Sequence, residues 1–153
     1  MSLSEMVKDP AVQASLVADC DQLIHTHVSQ KGGVSGMAFK TAYRVAKGIG
    51  PTYVQGALSR LLPDALKALD PMWEEGLQTG DPVHHLEAHR DRTADLILSV
   101  TDHRIQYSSG AIVGVYKKLR KSVKTDVAEV VPALATILGR HHMGLLQDAS
   151  LGE

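Results

Sequence analysis

The chain is poor in cysteine, in net charge and in long apolar runs. Its one cysteine, Cys20, cannot form an internal disulfide, which suits a reducing compartment such as the cytoplasm. Lys and Arg (16) nearly balance Asp and Glu (17), so the net charge of -1 predicts no nucleic-acid partner. No window reaches the roughly 18 to 20 continuous apolar residues of a membrane helix, and the first residues lack the basic and apolar regions of a signal peptide. We therefore expect a cytoplasmic protein without a membrane span.

Helical spacing of apolar residues is the dominant pattern, and alternation with a period of two is rare. Steps of three, four and one separate Val54, Leu58, Leu61, Leu62, Ala65, Leu66 and Leu69. A chain of 153 residues suffices for one domain with a buried core. The sequence thus predicts an all-α fold, a single-domain bundle of six or more helices over residues 1–153, with a frayed tail at 144–153.

Glycine and proline mark the predicted helix ends. Pro63 in the third predicted helix and Pro132 in the sixth each predict a kink, because proline lacks an N–H and its ring clashes with the preceding turn. Asp81 and Pro82 are predicted as the cap and first residue of the fourth helix. The predicted helices span residues 4 or 10 to 29, 35–47, 51–77, 82–107, 108–119 and 122–142.

The two halves of the chain share one plan, which indicates an internal repeat. When the sequence is aligned with itself at an offset of 73 residues, Tyr43 matches Tyr116. At an offset of 69 residues, Pro63 matches Pro132. Each half is predicted as a long helix, a glycine break, a short helix with a tyrosine and a proline-kinked helix. Two such halves can bury together an apolar stripe that neither buries alone. The predicted pseudo-repeats of about 70 residues span about 10–79 and 81–143.

The stretch KGGVSGMAFKT at residues 31–41 is the nearest approach to a phosphate-binding motif. A P-loop needs glycine directly before its lysine, whereas Phe39 precedes Lys40 here. A dinucleotide-binding loop needs a preceding strand, which is not predicted. The stretch YSSGAIVGVY occupies the same place in the second half and lacks the double glycine and the lysine. The sequence therefore favours a corner between helices over an anion site.

Polar residues on the predicted fourth helix offer a possible metal site. An arc of roughly 40° on this helix contains His84, Asp91, Asp95 and Asp102. His85 and His89 form a second pair at positions i and i+4. Such side chains on facing helices can hold zinc or another divalent ion, some of them together with Asp21 and His25 of the first helix. A solvated charged face explains the same pattern. No other cofactor is predicted, and the metal candidates are His84, His85, His89, Asp91, Asp95 and Asp102.

Three side chains are candidates for a ligand pocket. Tyr43 and Tyr116 occupy matching places in the two halves, so they either line a pocket between the halves or pack there. Arg90 falls within the apolar side of its helix, where an unpaired charge is costly. It is expected to reach solvent, and the alternatives are a buried carboxylate partner or a position that faces a pocket. His27 is predicted as a core histidine and Cys20 as an inert core thiol.

Four stretches carry a resemblance to a known family: KGGVSGMAFKTAYRVAKGIGPTYV, LLPDALKALDPMWEE, LSVTDHR and VYKKLRKSV. Over about residues 12–138 the chain resembles a family of small bacterial all-helical proteins filed as a domain of unknown function. The resemblance implies a bacterial protein of this size and helical character. The resemblance assigns a catalytic role to no residue of this chain.

Three functions follow from these patterns. The first is a non-enzymatic cytoplasmic binding or interaction module, which forms a homo-oligomer or binds a protein partner through exposed apolar surface. The second is a metal-binding protein or metal-dependent enzyme that uses the His and Asp residues of the fourth helix. The third is a carrier of an apolar ligand between the two halves, near Tyr43 and Tyr116. An internal cavity there would support the third function.

Overall fold

The computed structural model describes the backbone of residues 2–30, 33–108 and 110–151, and their side chains except at 33–39, 42, 121–122 and 147–151. These residues form one helical domain of seven helices, and no strand occurs among them. The helices are α1 (Leu3–Met6), α2 (Pro10–Gln30), α3 (Gly33–Ile49), α4 (Tyr53–Thr79), α5 (Pro82–Ala88), α6 (Arg90–Ile105) and α7 (Gly110–Leu151). The predicted all-α fold of six or more helices is confirmed.

The turn between α4 and α5 follows the sequence prediction closely. Gly80 has a φ of 100°, a left-handed conformation that favours glycine at the end of a helix. Asp81 Oδ1 then accepts a hydrogen bond from the backbone N–H of His84 at 3.0 Å, and Pro82 is the first helical residue. The predicted cap and helix start are therefore both present.

Two predicted helix boundaries are wrong. The predicted fourth helix divides into α5 and α6 at His89, where φ is -112° and ψ is 45°. The Thr93 hydroxyl donates to the carbonyls of Leu86 and His89 at 3.2 and 2.9 Å, which satisfies backbone acceptors at the break. The predicted fifth and sixth helices form one helix, α7. The connection from Leu119 to Ser122 contains helix-favouring Leu, Arg and Lys and no glycine or proline, so the helix continues.

Three prolines lie inside long helices, Pro63 and Pro71 in α4 and Pro132 in α7, and the helices continue through them. The kinks at Pro63 and Pro132 stay predictions, as does the internal repeat. The tail that the sequence predicts to be frayed is helical as far as Leu151. The sequence predicts a corner within residues 31–41; residues 31–32 lie outside the described part of the chain, and residues 33–41 belong to α3.

Helix α4 is central to the domain and packs against α1, α2, α3, α5 and α6. Its buried side chains recur at helical spacing, because one face of the helix meets the core. They include Leu62, Leu66, Leu69, Met72 and Trp73. Within the described part of the chain, no helix is long and apolar enough to cross a membrane.

The short helix α1 closes one side of this core. Its Leu3 and Met6 side chains are fully buried. Asp70 on α4 accepts hydrogen bonds from the Ser4 backbone N–H at 3.1 Å and from the Ser4 hydroxyl at 2.5 Å. The carboxylate therefore fixes the start of α1 against α4.

Helix α5 approaches two glycines of neighbouring helices very closely. A Cβ atom at Gly76 of α4 would lie 2.4 Å from the Cα of Pro82, and a Cβ at Gly139 of α7 would lie 2.5 Å from Cγ2 of Val83. Carbon atoms in contact are normally about 3.5 to 4.0 Å apart. The absence of a side chain at both positions thus lets α5 pack between α4 and α7.

Candidate functional site

An apolar cavity of about 640 Å³ lies where α2, α3, α4, α6 and α7 meet. Its volume is in the range of about 300 to 1,000 Å³ that is typical of small-molecule sites. Aliphatic and aromatic side chains form most of its wall. We call it the tyrosine cavity, and its lining residues are Ile24, Val28, Tyr43, Ala46, Tyr53, Val54, Ala57, Leu58, Arg60, Leu61, Thr101, Arg104, Ile105, Tyr107, Ser108, Ile112 and Tyr116.

All four tyrosines of the chain line this cavity. Tyr43 comes from α3, Tyr53 from the start of α4, Tyr107 from the turn after α6 and Tyr116 from α7. Aromatic residues make up only 4% of the sequence, so most of its aromatic surface is concentrated around one cavity. Tyrosine supplies a flat apolar face and a hydroxyl that can form hydrogen bonds, which suits the recognition of a ligand with both characters.

Tyr43 is held at the wall by neighbours on two helices. The Lys47 ammonium lies 5.3 Å from the centre of the Tyr43 ring, at the distance of a cation–π contact. The His25 ring of α2 lies 6.0 Å from it, centre to centre, at an interplanar angle of 52°. These contacts place the Tyr43 ring between α2 and α3.

Tyr116 is held by a charged network between α6 and α7. Its hydroxyl donates to Asp102 Oδ1 at 2.5 Å, and Arg120 donates two hydrogen bonds to the same carboxylate at 2.8 and 3.0 Å. The bonds from Arg120 lower the pKa of Asp102, while burial, followed by the bond to Asp102, raises the pKa of Tyr116. The Tyr116 hydroxyl is therefore a neutral donor with a fixed orientation.

Two arginines add positive charge to the cavity wall. Arg104 of α6 donates from Nε and Nη2 to Asp64 Oδ2 of α4 at 2.9 and 2.6 Å, so its charge is already paired. Arg60 of α4 is exposed and makes no hydrogen bond or ion pair with any residue in the described part of the chain. Its guanidinium is thus available to an anionic group bound at the cavity.

The structure brings together two of the three predicted pocket residues. Tyr43 and Tyr116 line the tyrosine cavity, whereas Arg90 is exposed and lines a separate groove. Its exposure agrees with the expectation that its side chain reaches solvent. This groove, which we call the Arg90 groove, has a volume of about 390 Å³ and is lined by Arg90, Asp91, Lys124, Thr125, Ala128 and Glu129.

The three histidines among the predicted metal candidates lie around α5. His85 Nε2 lies 3.0 Å from Glu75 Oε2 of α4, and Arg92 donates two hydrogen bonds to the same carboxylate at 2.8 and 3.1 Å. The rings of His85 and His89 are 4.5 Å apart, centre to centre. His84 is exposed. The hydrogen bonds from Arg92, then the bond to His85, lower the pKa of Glu75 to about 2.

The three aspartates among the metal candidates lie along α6. Asp95 pairs with Lys124 at 3.0 Å, Asp102 pairs with Arg120 at 2.8 Å, and Asp91 is exposed. Two of the three carboxylates therefore contact basic side chains of α7. Among the described residues, the six candidates do not assemble into one cluster of ligand atoms. Metal binding by them stays a prediction.

A different group of potential ligands converges in the structure. His27 of α2 and Asp126 and Glu129 of α7 each offer one ligand atom, and these atoms lie within 4.8 Å of one another. The sequence predicts His27 as a core histidine and assigns no role to Asp126 or Glu129. The sequence does contain an indication that Asp126 is buried: it lies three residues after Val123 and four before Val130, so an acidic side chain shares an apolar face of the helix. We call this group the His27 cluster.

Comparison with known proteins identifies a family without indicating an activity. No curated protein and no solved structure matches the chain at a significant level. The model of a family of unknown function, DUF6918, matches residues 3–142, and this match confirms the resemblance to such a family. Because the match covers nearly the whole sequence, the chain belongs to the DUF6918 family, whose function is unknown.

Proposed function

We propose that this protein binds a small amphipathic molecule with a mainly apolar body in the tyrosine cavity. The observation that carries the proposal is that all four tyrosines of the chain line a single cavity of about 640 Å³. Elsewhere in the domain, side chains such as Leu66, Leu69 and Trp73 are buried against one another in the core.

The wall of the cavity indicates the chemistry of the ligand. Aliphatic side chains and tyrosine rings favour an apolar body, because burial of apolar surface is the main source of binding free energy. Tyrosine hydroxyls and the exposed Arg60 guanidinium favour a polar or anionic end. A medium-chain carboxylate has both features and is a suitable probe.

The expected affinity follows from the buried surface. The ten chain carbons of decanol contribute about 8 kcal/mol when buried, at about 0.8 kcal/mol each, and the nine apolar carbons of decanoate contribute about 7 kcal/mol, before the entropy lost on association. A free energy of this size corresponds to a Kd of about 1 μM, so micromolar or weaker binding is expected for a ten-carbon chain.

The test is a titration of the protein with decanoate and with decanol, in which binding is measured by tyrosine fluorescence and by isothermal titration calorimetry. The Ala57→Phe substitution adds a ring inside the cavity, whereas the matched Ala133→Phe substitution adds the same ring at an exposed position of α7. We expect both probes to bind the wild type and the Ala133→Phe variant, and to bind the Ala57→Phe variant at least tenfold more weakly, a change of about 1.4 kcal/mol. Equal binding to both variants, or no binding to the wild type, would contradict the proposal.

Arg60 allows a second, more selective comparison. If its guanidinium contacts the anionic end of the probe, Arg60→Gln weakens the binding of decanoate and leaves the binding of decanol unchanged. Equal loss for the two probes would show that Arg60 acts only through the shape of the cavity.

Self-association is the second candidate, and it is favoured by exposed apolar side chains near the end of α7. Met143 and Leu146 are 61% and 45% exposed, and their spacing of three residues places them on one side of the helix. A second copy of the chain would cover them. Light scattering after size-exclusion chromatography should then show that the wild type is a dimer. The double substitution Met143→Lys with Leu146→Lys should convert the dimer to a monomer. A monomeric wild type would contradict this candidate.

The proposed site of action is the cytoplasm. Cys20 is buried and has no cysteine partner, which suits a reducing compartment.

A further inference from the structure

The His27 cluster joins two helices that are distant in the sequence. His27 lies in α2, whereas Asp126 and Glu129 lie one helical turn apart in α7. His27 Nε2 is 3.0 Å from Asp126 Oδ1, and ligand atoms from all three side chains lie within 4.8 Å of one another. None of the three side chains lines the tyrosine cavity.

Burial makes this cluster different from ordinary surface charges. The Asp126 side chain is 4% exposed and the His27 side chain is 18% exposed. A buried carboxylate is unfavourable unless opposite charge and hydrogen bonds compensate for its lost hydration. The contact with His27 supplies part of this compensation at Asp126, and a divalent cation bound to the same ligand atoms supplies more.

The donor atoms select the class of ion. Bonds of about 2.0 to 2.2 Å to nitrogen and oxygen place neighbouring ligand atoms about 3 to 3.5 Å apart around a metal. The His27 cluster reaches this spacing with small side-chain rotations, since its ligand atoms are already within 4.8 Å. One imidazole and two carboxylates suit zinc, manganese or ferrous iron, whereas magnesium and calcium prefer oxygen ligands alone.

A route from solvent to the cluster is also present. Glu129 is exposed, and it is one of the residues that line the Arg90 groove. An ion held by three protein ligands keeps further coordination positions, which water or a ligand can fill from the groove. The exposed guanidinium of Arg90 on the same groove suits an anionic ligand of the ion, whereas Lys124 is already paired with Asp95.

We propose that His27, Asp126 and Glu129 together bind one divalent first-row transition ion that is accessible from the Arg90 groove. None of these three ligands is one of the six metal candidates around α5 and along α6, although one candidate, Asp91, lines the same groove. It is also independent of ligand binding in the tyrosine cavity, so each proposal can fail alone.

The experiment measures metal binding by untagged protein that has been treated with chelator and dialysed. Calorimetric titration with zinc chloride and with manganese chloride is expected to show one ion per chain. Glu129→Gln, at an exposed position, and Asp126→Asn are each expected to weaken binding by about 10- to 100-fold or more. Circular dichroism confirms that each variant is folded, and Glu129→Gln provides the test if Asp126→Asn is not.

His85→Ala is the matched control. Its imidazole also lies 3.0 Å from a carboxylate, that of Glu75, but this pair belongs to no cluster of three ligands in the described part of the chain. The control is expected to bind the ion as the wild type does. The proposal is overturned if the wild type binds neither ion at millimolar concentration, or if Glu129→Gln retains full affinity.

Discussion

The close approach of α4 and α5 leads to a prediction about Gly76. A Cβ atom there would lie 2.4 and 2.9 Å from Cα and Cβ of Pro82 and 3.0 Å from Cβ of His85. These neighbours are backbone atoms or atoms fixed to the backbone, so they cannot rotate away. Gly76→Ala therefore requires α5 to move by more than one ångström, or α4 to deform.

Two opposing effects set the size of the change. Alanine is favoured over glycine inside a helix by up to about 1 kcal/mol. Overpacking a buried contact costs about 1 to 3 kcal/mol and occasionally more. We expect Gly76→Ala to lower the free energy of unfolding by about 1 to 2 kcal/mol, which corresponds to roughly 2 to 8 °C in Tm for a chain of this size.

Gly114→Ala is the matched control, because Gly114 lies inside α7 and a Cβ there would have no neighbour within 4 Å. This substitution should raise the free energy of unfolding by about 0.5 to 1 kcal/mol. Urea unfolding can be followed by the fluorescence of Trp73, the only tryptophan of the chain. If Gly76→Ala were as stable as the wild type while Gly114→Ala was more stable, the close packing of α4 on α5 would be refuted.

Two further predictions concern ionisable groups. The pKa of Glu75 is lowered to about 2 from 4.5, chiefly by the hydrogen bonds from Arg92. The ionised Glu75 carboxylate therefore contributes fully to the free energy of unfolding above pH 4.5, and this contribution is lost as the pH falls through 2. Acid unfolding monitored by circular dichroism should show that Glu75→Gln loses less stability over this window than the wild type, and identical slopes would contradict the reasoning. Burial, followed by the charge of Asp19, raises the pKa of Cys20 to about 11. Ellman's reagent at pH 8 should thus modify Cys20 only as fast as the protein unfolds, and rapid reaction of the folded protein would show that the thiol is accessible.

Local patterns were sufficient to predict the all-α fold and several of the helix positions. The apolar spacing in 54–69 predicted the buried face of α4, and Asp81 with Pro82 predicted the start of α5. The break at His89 was not predicted, because it depends on tertiary packing and on bonds from Thr93 rather than on glycine or proline. The continuity of α7 was not predicted: the predicted fifth and sixth helices are separated by residues 120 and 121, which contain no helix breaker.

The candidate sites were harder to predict, because they depend on how distant helices cross. Tyr43 and Tyr116 were found through their matching places in the two halves, but no local pattern relates Tyr53 or Tyr107 to them. The His27 cluster joins residues 99 positions apart. Helical periodicity indicates which face of a helix is buried, but it does not indicate which helix lies opposite.

The most direct test of the proposed function is nuclear magnetic resonance of protein labelled at its four tyrosines and at Trp73, during titration with decanoate. Because all four tyrosines line the cavity and Trp73 lies in the core, the account predicts that the tyrosine ring signals shift together along one saturating curve. The Trp73 signal should change little, and Ala57→Phe should abolish the tyrosine shifts. Tyrosine signals that stay unchanged, or that shift equally in the Ala57→Phe variant, would contradict the claim that this cavity is the binding site.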